Sequence, residues 1–141
     1  MSYLIVIDTC VLISALRSRN GASFKLLSLI DSKKFTFCLS VPLVLEYESV
    51  AKRMSRSLGL TQPDIEDIID YLCTLGKHRQ VHYLWRPSLK DPGDDFVLEL
   101  AVESECKYIV THNIKDFKDL KKFKVRAVTP QEFLREIGEI S

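Results

Sequence analysis

Strands and helices alternate along this chain of 141 residues, and the alternation predicts an α/β domain in three layers, a central parallel sheet flanked by helices. Three observations carry the prediction. Tyr3-Leu4-Ile5-Val6-Ile7 is an apolar and aromatic run without alternation, as expected of a strand buried on both faces. Two later runs, Phe35 to Leu39 and Tyr108 to Thr111, have the same character. Between them lie segments with apolar residues at helical spacing, opened by capping residues and prolines.

The first run delivers Asp8 to the carboxyl end of its strand, and apolar character resumes at once in Val11, Leu12 and Ile13, read as a core segment. A lone carboxylate between two apolar stretches is costly to bury unless something pairs with it. Arg17-Ser18-Arg19-Asn20-Gly21 is a polar turn with an Asn-Gly pair. From Ala22 to about Ile30, Phe24, Leu26, Leu27 and Ile30 predict a helix with one buried face, and Phe35 to Leu39 a second strand. Ser40, two places before Pro42, signals a helix start. That helix carries Leu43, Val44, Tyr47, Val50, Ala51 and Met54 on its apolar side and ends near Gly59.

Thr61-Gln62-Pro63-Asp64 opens the next helix, with Ile65, Ile68, Ile69, Leu72 and Leu75 as its stripe and Gly76 as its stop. That stripe is also a candidate surface for dimer or partner contacts. Val81 to Trp85 reads as a third strand. A turn at Asp91-Pro92-Gly93 feeds a helix from about Asp94 to Glu105, followed by the strand ending at Thr111. Val125 to Val128 makes a last strand, and Thr129-Pro130-Gln131-Glu132 is a capping box that starts a C-terminal helix. The expectation is one domain over residues 1–141, without repeats or linkers.

Composition excludes several classes. Asp8 interrupts the longest apolar run, so no segment reads as a membrane span, and the opening has neither a basic leader nor a small-residue cleavage site. A cytoplasmic protein is expected. The four cysteines, Cys10, Cys38, Cys73 and Cys106, are scattered through apolar segments without a CxxC pair and read as free thiols. A net charge of +1, from 20 basic against 19 acidic residues, leaves room for patches of either sign.

Functional groups in open parallel sheets gather beyond the carboxyl ends of the strands. Asp8 stands there, as does the Thr111-His112-Asn113 segment. Asp94 and Asp95 begin a helix, where the macrodipole favours anions, and Glu46 lies just over one turn into the helix after the second strand. Carboxylates brought so close repel one another, and a divalent cation removes the objection. Oxygen donors without clustered thiols or imidazoles suit Mg2+ or Mn2+, whose chemistry fits phosphodiester hydrolysis.

The residues also resemble a known family. Ile5-Val6-Ile7-Asp8-Thr9-Cys10-Val11-Leu12 resembles the opening motif of PIN-domain ribonucleases, and the match continues in order through Glu46, Asp91-Pro92-Gly93-Asp94-Asp95, Tyr108-Ile109-Val110-Thr111 and Thr129-Pro130-Gln131-Glu132-Phe133-Leu134. The chain is most similar to PIN-family toxins of bacterial toxin–antitoxin pairs. The resemblance implies a PIN-like three-layer fold and a metal-dependent endoribonuclease acting on RNA, usually a homodimer, restrained by a small antitoxin protein. It further implies Asp8 and Asp95 as the main metal ligands, with Glu46 completing the site and orienting the attacking water. Asp95 is preferred to Asp94 because its sixteen-residue distance to Thr111 matches the family spacing, while Asp94 suits the N-cap. Where many members carry a further aspartate this chain has Asn113, and Asp116 three residues on is an alternative source of the carboxylate.

Plainer readings stand beside these. Thr9 serves packing or the metal shell. His78 and His82 have helical metal spacing but flank a turn and lack acidic or thiol partners, and Cys10 with Arg17 only superficially resembles a phosphatase loop. Lys52, Arg53 and Arg56, and the lysines from Lys115 to Lys124 with Arg126, are solvated faces unless they flank the acidic edge, where they would hold RNA phosphates. Two rivals to the nuclease are a PIN-like module that binds RNA or protein without cutting, and a receiver- or phosphatase-like domain. Cys10, standing where many aspartate phosphatases have a second Asp, weakens the latter.

Overall fold

The computed structural model describes the backbone of residues 3–80, 92–117 and 120–141, and the side chains of these except 92–95, 121 and 122. Among the described residues there are five strands, β1 (Tyr3–Ile7), β2 (Phe35–Leu39), β3 (Lys77–His78), β4 (Tyr108–Val110) and β5 (Arg126–Val128). They form one all-parallel sheet in the order β3-β2-β1-β4-β5. The helices are α1 (Thr9–Arg17), α2 (Ala22–Ser28), α3 (Val41–Arg53), α4 (Ser55–Leu58), α5 (Gln62–Leu75), α6 (Pro92–Glu103) and α7 (Pro130–Glu136), and they flank the sheet to make a three-layer α/β domain. The third strand expected at Val81 to Trp85 lies outside the described residues.

Parallel register explains why β1 reads as apolar throughout. Ile5 is opposite Phe37 on one side and Tyr108 on the other, so the central strand has a covered neighbour at each edge and a covered face above and below. Ile5 and Val6 are fully buried and Ile7 nearly so. Beneath the first turns of this sheet, Phe133 of α7 packs edge-on against Tyr3, Phe35 and Tyr108, at ring-centroid distances of 6.0, 5.5 and 5.7 Å.

Local signals set most helix boundaries. Ser40 caps α3 by accepting from the Leu43 amide, and Thr61 and Thr129 each form a reciprocal capping box, with Asp64 and Glu132. The long helix expected after Ser40 breaks at Met54 into α3 and α4, and Gly59, at φ 68°, ends it in the left-handed conformation that glycine adopts without strain.

One expectation needs correction. The segment after Asp8 is a helix, α1, rather than an unassigned core segment; Val11, Leu12, Ile13 and Ala15 are buried, Cys10, Ser14 and Leu16 are half-buried and Arg17 is exposed, so one face of the helix meets the core. The stripe of α5 is turned largely inward: Ile65, Ile69 and Leu72 are buried and α5 packs on α3, while Ile68 and Leu75 are half-buried. Among the described residues, no helix is long and apolar enough to cross a membrane.

Candidate active site

Asp8 is the first residue beyond β1 and the N-cap of α1, with extended backbone and only 6% exposure. Its amide donates to the Val110 carbonyl at 2.9 Å, extending the β1–β4 ladder by one rung and fixing where the side chain emerges. One carboxylate oxygen accepts from the Thr9 amide at 2.9 Å and the other from the Thr111 hydroxyl at 2.7 Å. Charge-assisted bonds of this kind offset the cost of burying the carboxylate. Thr111 is itself fully buried and accepts from the Asn113 amide at 3.0 Å, so the loop beyond β4 is tied to the same carboxylate.

Glu46 reaches the site from α3. It is half-buried, and the Thr9 hydroxyl donates to its Oε1. Its neighbour Tyr47 is buried, and its hydroxyl donates to the carbonyl of Ile7, the last residue of β1. Burial, then the charges of Asp8 and Glu46, push the Tyr47 phenol well above its ordinary range, which keeps it a donor. Cys10 lies between the two sides: its thiol donates to Asp8 Oδ2 at 3.5 Å and accepts from the His112 amide at 3.5 Å. Burial and the adjacent Asp8 charge raise that thiol to about 11, so it stays neutral at physiological pH.

These groups open onto a cleft of about 870 Å³, whose walls include Asp8, Thr9, Glu46, Asn113, Arg17 and Arg53. The structure therefore brings together three of the four acidic or amide residues singled out in the sequence. Asp95 lies in the first turn of α6, and its side chain is outside the described residues. Asp94 is the third residue of that helix rather than its N-cap, because the helix begins at Pro92. Asp116 sits exposed in a single 3-10 turn and does not line the cleft, whereas Asn113 does.

The basic residues sort differently from expectation. Lys52 pairs with Glu48 at 3.6 Å and Glu66 at 3.5 Å, away from the cleft walls, and Arg56 and Lys115 do not line the cleft. Arg53 does, and it is joined by Arg17, whose place in the last turn of α1 was hidden with that helix. Neither arginine has an ion-pair partner among the described residues. His112, with Nε2 3.0 Å from the Ser23 hydroxyl, also lines the cleft. His78 donates to the Cys73 carbonyl at 2.6 Å, and His82 lies outside the described residues.

The PIN-domain family profile matches residues 4–115. The chain belongs to the PIN-domain family. The fold of this PIN-domain protein is similar to that of VapBC2 from Rickettsia felis bound to a DNA fragment from their promoter, with 13% identity, a TM-score of 0.62, and coverage of 89% of this chain and 98% of that one. It is also similar to VapBC-1 from nontypeable Haemophilus influenzae, again at 13% identity, with a TM-score of 0.59 and coverage of 91% and 98%. At such identity the likeness is one of fold. No curated protein matches the chain by sequence.

The donor set of this PIN domain has a definite chemical character. Two carboxylates from different elements, Asp8 and Glu46, and the amide of Asn113 line one cleft, and each carboxylate keeps acceptor capacity beyond its internal hydrogen bonds. Hard oxygen donors in small number suit Mg2+ or Mn2+, which retain several waters. Among the described residues no group of three or more His, Cys, Asp and Glu is close enough to hold a metal.

Proposed function

We propose that this PIN-domain protein is a metal-dependent endoribonuclease that hydrolyses RNA phosphodiester bonds and serves as the toxin of a toxin–antitoxin pair. The observation that carries the reading is the joint lining of one cleft by Asp8 and Glu46 and by two arginines, Arg17 and Arg53, that are unpaired among the described residues. Acidic groups alone would repel a polyanion. Flanking guanidinium groups hold phosphates in place while the carboxylates keep their charge for the metal.

In this reading Asp8, Glu46 and Asp95 hold Mg2+ or Mn2+, and Asn113 contributes an uncharged oxygen. When bound, the ion supplies an activated water and neutralises the charge that builds on the phosphodiester. The remaining work belongs to the chain. Thr111 and the Thr9 amide fix the Asp8 carboxylate, and the Thr9 hydroxyl holds Oε1 of Glu46, leaving Oε2 to orient the attacking water. In this reading residues 1–141 act as one nuclease domain, a cytoplasmic homodimer whose partner is a small antitoxin; the likeness in fold to two VapBC structures supports the antitoxin partner.

Purified protein is expected to cleave single-stranded RNA with Mg2+ or Mn2+, and EDTA or Asp8→Asn is expected to reduce the rate about a thousandfold or more. Robust cleavage by the Asp8→Asn protein would sink the metal-site argument. A neighbouring reading frame for a small DNA-binding protein is the expected mark of the antitoxin. The second reading, a PIN module that binds without cutting, is favoured by one feature: Asn113 adds no charge and cannot act as a base. Saturable Mn2+ binding by calorimetry together with cleavage excludes it.

A further inference from the structure

We infer that Tyr47 is a positioning residue for this site: its hydroxyl bond to the Ile7 carbonyl sets the separation between the carboxylates of Asp8 and Glu46. The inference rests on the metal reading above and concerns how the two ligands are brought to one ion.

Asp8 and Glu46 come from different elements, the end of β1 and the second turn of α3. Apolar packing of Leu43 and Ala51 holds α3 against the core. A site that must bind through both carboxylates needs their positions fixed to within about 0.5 Å. Two hydrogen bonds supply that definition. Tyr47 fastens α3 to Ile7, the residue before Asp8, and Glu46 accepts from Thr9, the residue after it. The helix is thus tied to the chain on either side of the ligand, by two adjacent residues of its own.

Tyr47 is 2% exposed, so its hydroxyl has no water to turn to, and its ring lies with Ile7, Leu12 and Phe37 in the apolar interior. A phenylalanine would fill that space as well. The hydroxyl is what the core does not require, and it is directed at the one carbonyl that immediately precedes the catalytic aspartate of the proposed site.

The test is Mn2+ titration by calorimetry on the full chain, without RNA. Tyr47→Phe is expected to weaken the Kd about tenfold or more, as loss of an orienting partner typically does. Replacement of Tyr47 by 4-aminophenylalanine, which keeps a donor at the same ring position, is expected to restore it; this variant also carries the test if Tyr47→Phe does not fold. Phe133→Leu, remote from the cleft, controls for general destabilisation and should leave the Kd unchanged. A Tyr47→Phe Kd within twofold of wild type, or an equal weakening in Phe133→Leu, would overturn the inference while leaving the metal reading intact. Absence of Mn2+ binding by the wild type would instead overturn the proposed function, and this inference with it.

Discussion

At the amino ends of the strands, the first residues of β1, β2 and β4 are Tyr3, Phe35 and Tyr108, and all three meet the ring of Phe133. At the carboxyl ends, the residues that follow the same strands are Asp8, Ser40 and Thr111, all buried and all hydrogen-bonded. One end of the sheet is closed by aromatic packing and the other by polar groups held in hydrogen bonds, Asp8 and Thr111 to each other and Ser40 to the Leu43 amide. Aromatic packing has stability as its main product. A buried polar network costs desolvation and returns fixed geometry, which is what a site requires. The two ends should therefore separate stability from activity when they are perturbed.

The largest expected effect is at the aromatic end. Phe133 is fully buried, and Phe133→Ala should cost about 3–5 kcal/mol in urea unfolding while the folded fraction retains its cleavage rate per molecule. Loss of activity in protein shown to be folded would break the division. Asp8→Asn is its mirror image. Asparagine is as good an N-cap as aspartate, so stability should move by less than about 1 kcal/mol while cleavage disappears.

Thr111→Val sits between these extremes. It removes the 2.7 Å bond to Asp8 and an acceptor for the Asn113 amide, and a hydrogen bond to a charged group contributes about 1.5–3 kcal/mol. Both melting temperature and cleavage should fall, with Thr111→Ser retaining most of each. Stability lost without any change in cleavage would show that Thr111 serves the fold alone. Smaller again are Arg17→Gln and Arg53→Gln. Each should raise the KM for RNA roughly three- to tenfold and reduce the salt slope of binding by about 0.7, the value for one phosphate on a single strand. An unchanged salt slope in both would remove the phosphate-holding role.

How much of this was legible in the sequence follows from how local each signal is. The Asp8 strand end, the Ser40 cap and the capping boxes at Thr61 and Thr129 are written in a few adjacent residues, and the structure shows each of these caps. Helix α1 was not legible as a helix, because its nine residues follow the strand end directly, are apolar apart from Thr9, Ser14 and Arg17, and are capped by Asp8, which also reads as the end of the strand. With α1 went the position of Arg17. Tyr47 was visible only as one more member of an apolar stripe; its hydroxyl has no partner within four residues, since Ile7 lies forty positions away. The division of labour among Lys52, Arg53 and Arg56 was equally hidden, because whether a cation is paired or faces the cleft depends on Glu48, Glu66 and the helix rotation together.

The smallest effect tests the aromatic end once more. Lys107 is exposed at the turn before β4, with its ammonium 5.4 Å from the centroid of Tyr3 and 5.5 Å from that of Tyr108. Its backbone is already held, donating to the Leu4 carbonyl and accepting from the Arg126 amide, each at 3.0 Å. Lys107→Met keeps the apolar stem and removes only the charge, so the loss should be about 0.5–1 kcal/mol, the range for an exposed cation over aromatic rings. Cleavage should be unaffected, because the residue lies at the opposite end of the strands from Asp8. A larger stability loss would mean that this end depends on charge as well as on packing, and the contrast between the two ends would then be one of degree.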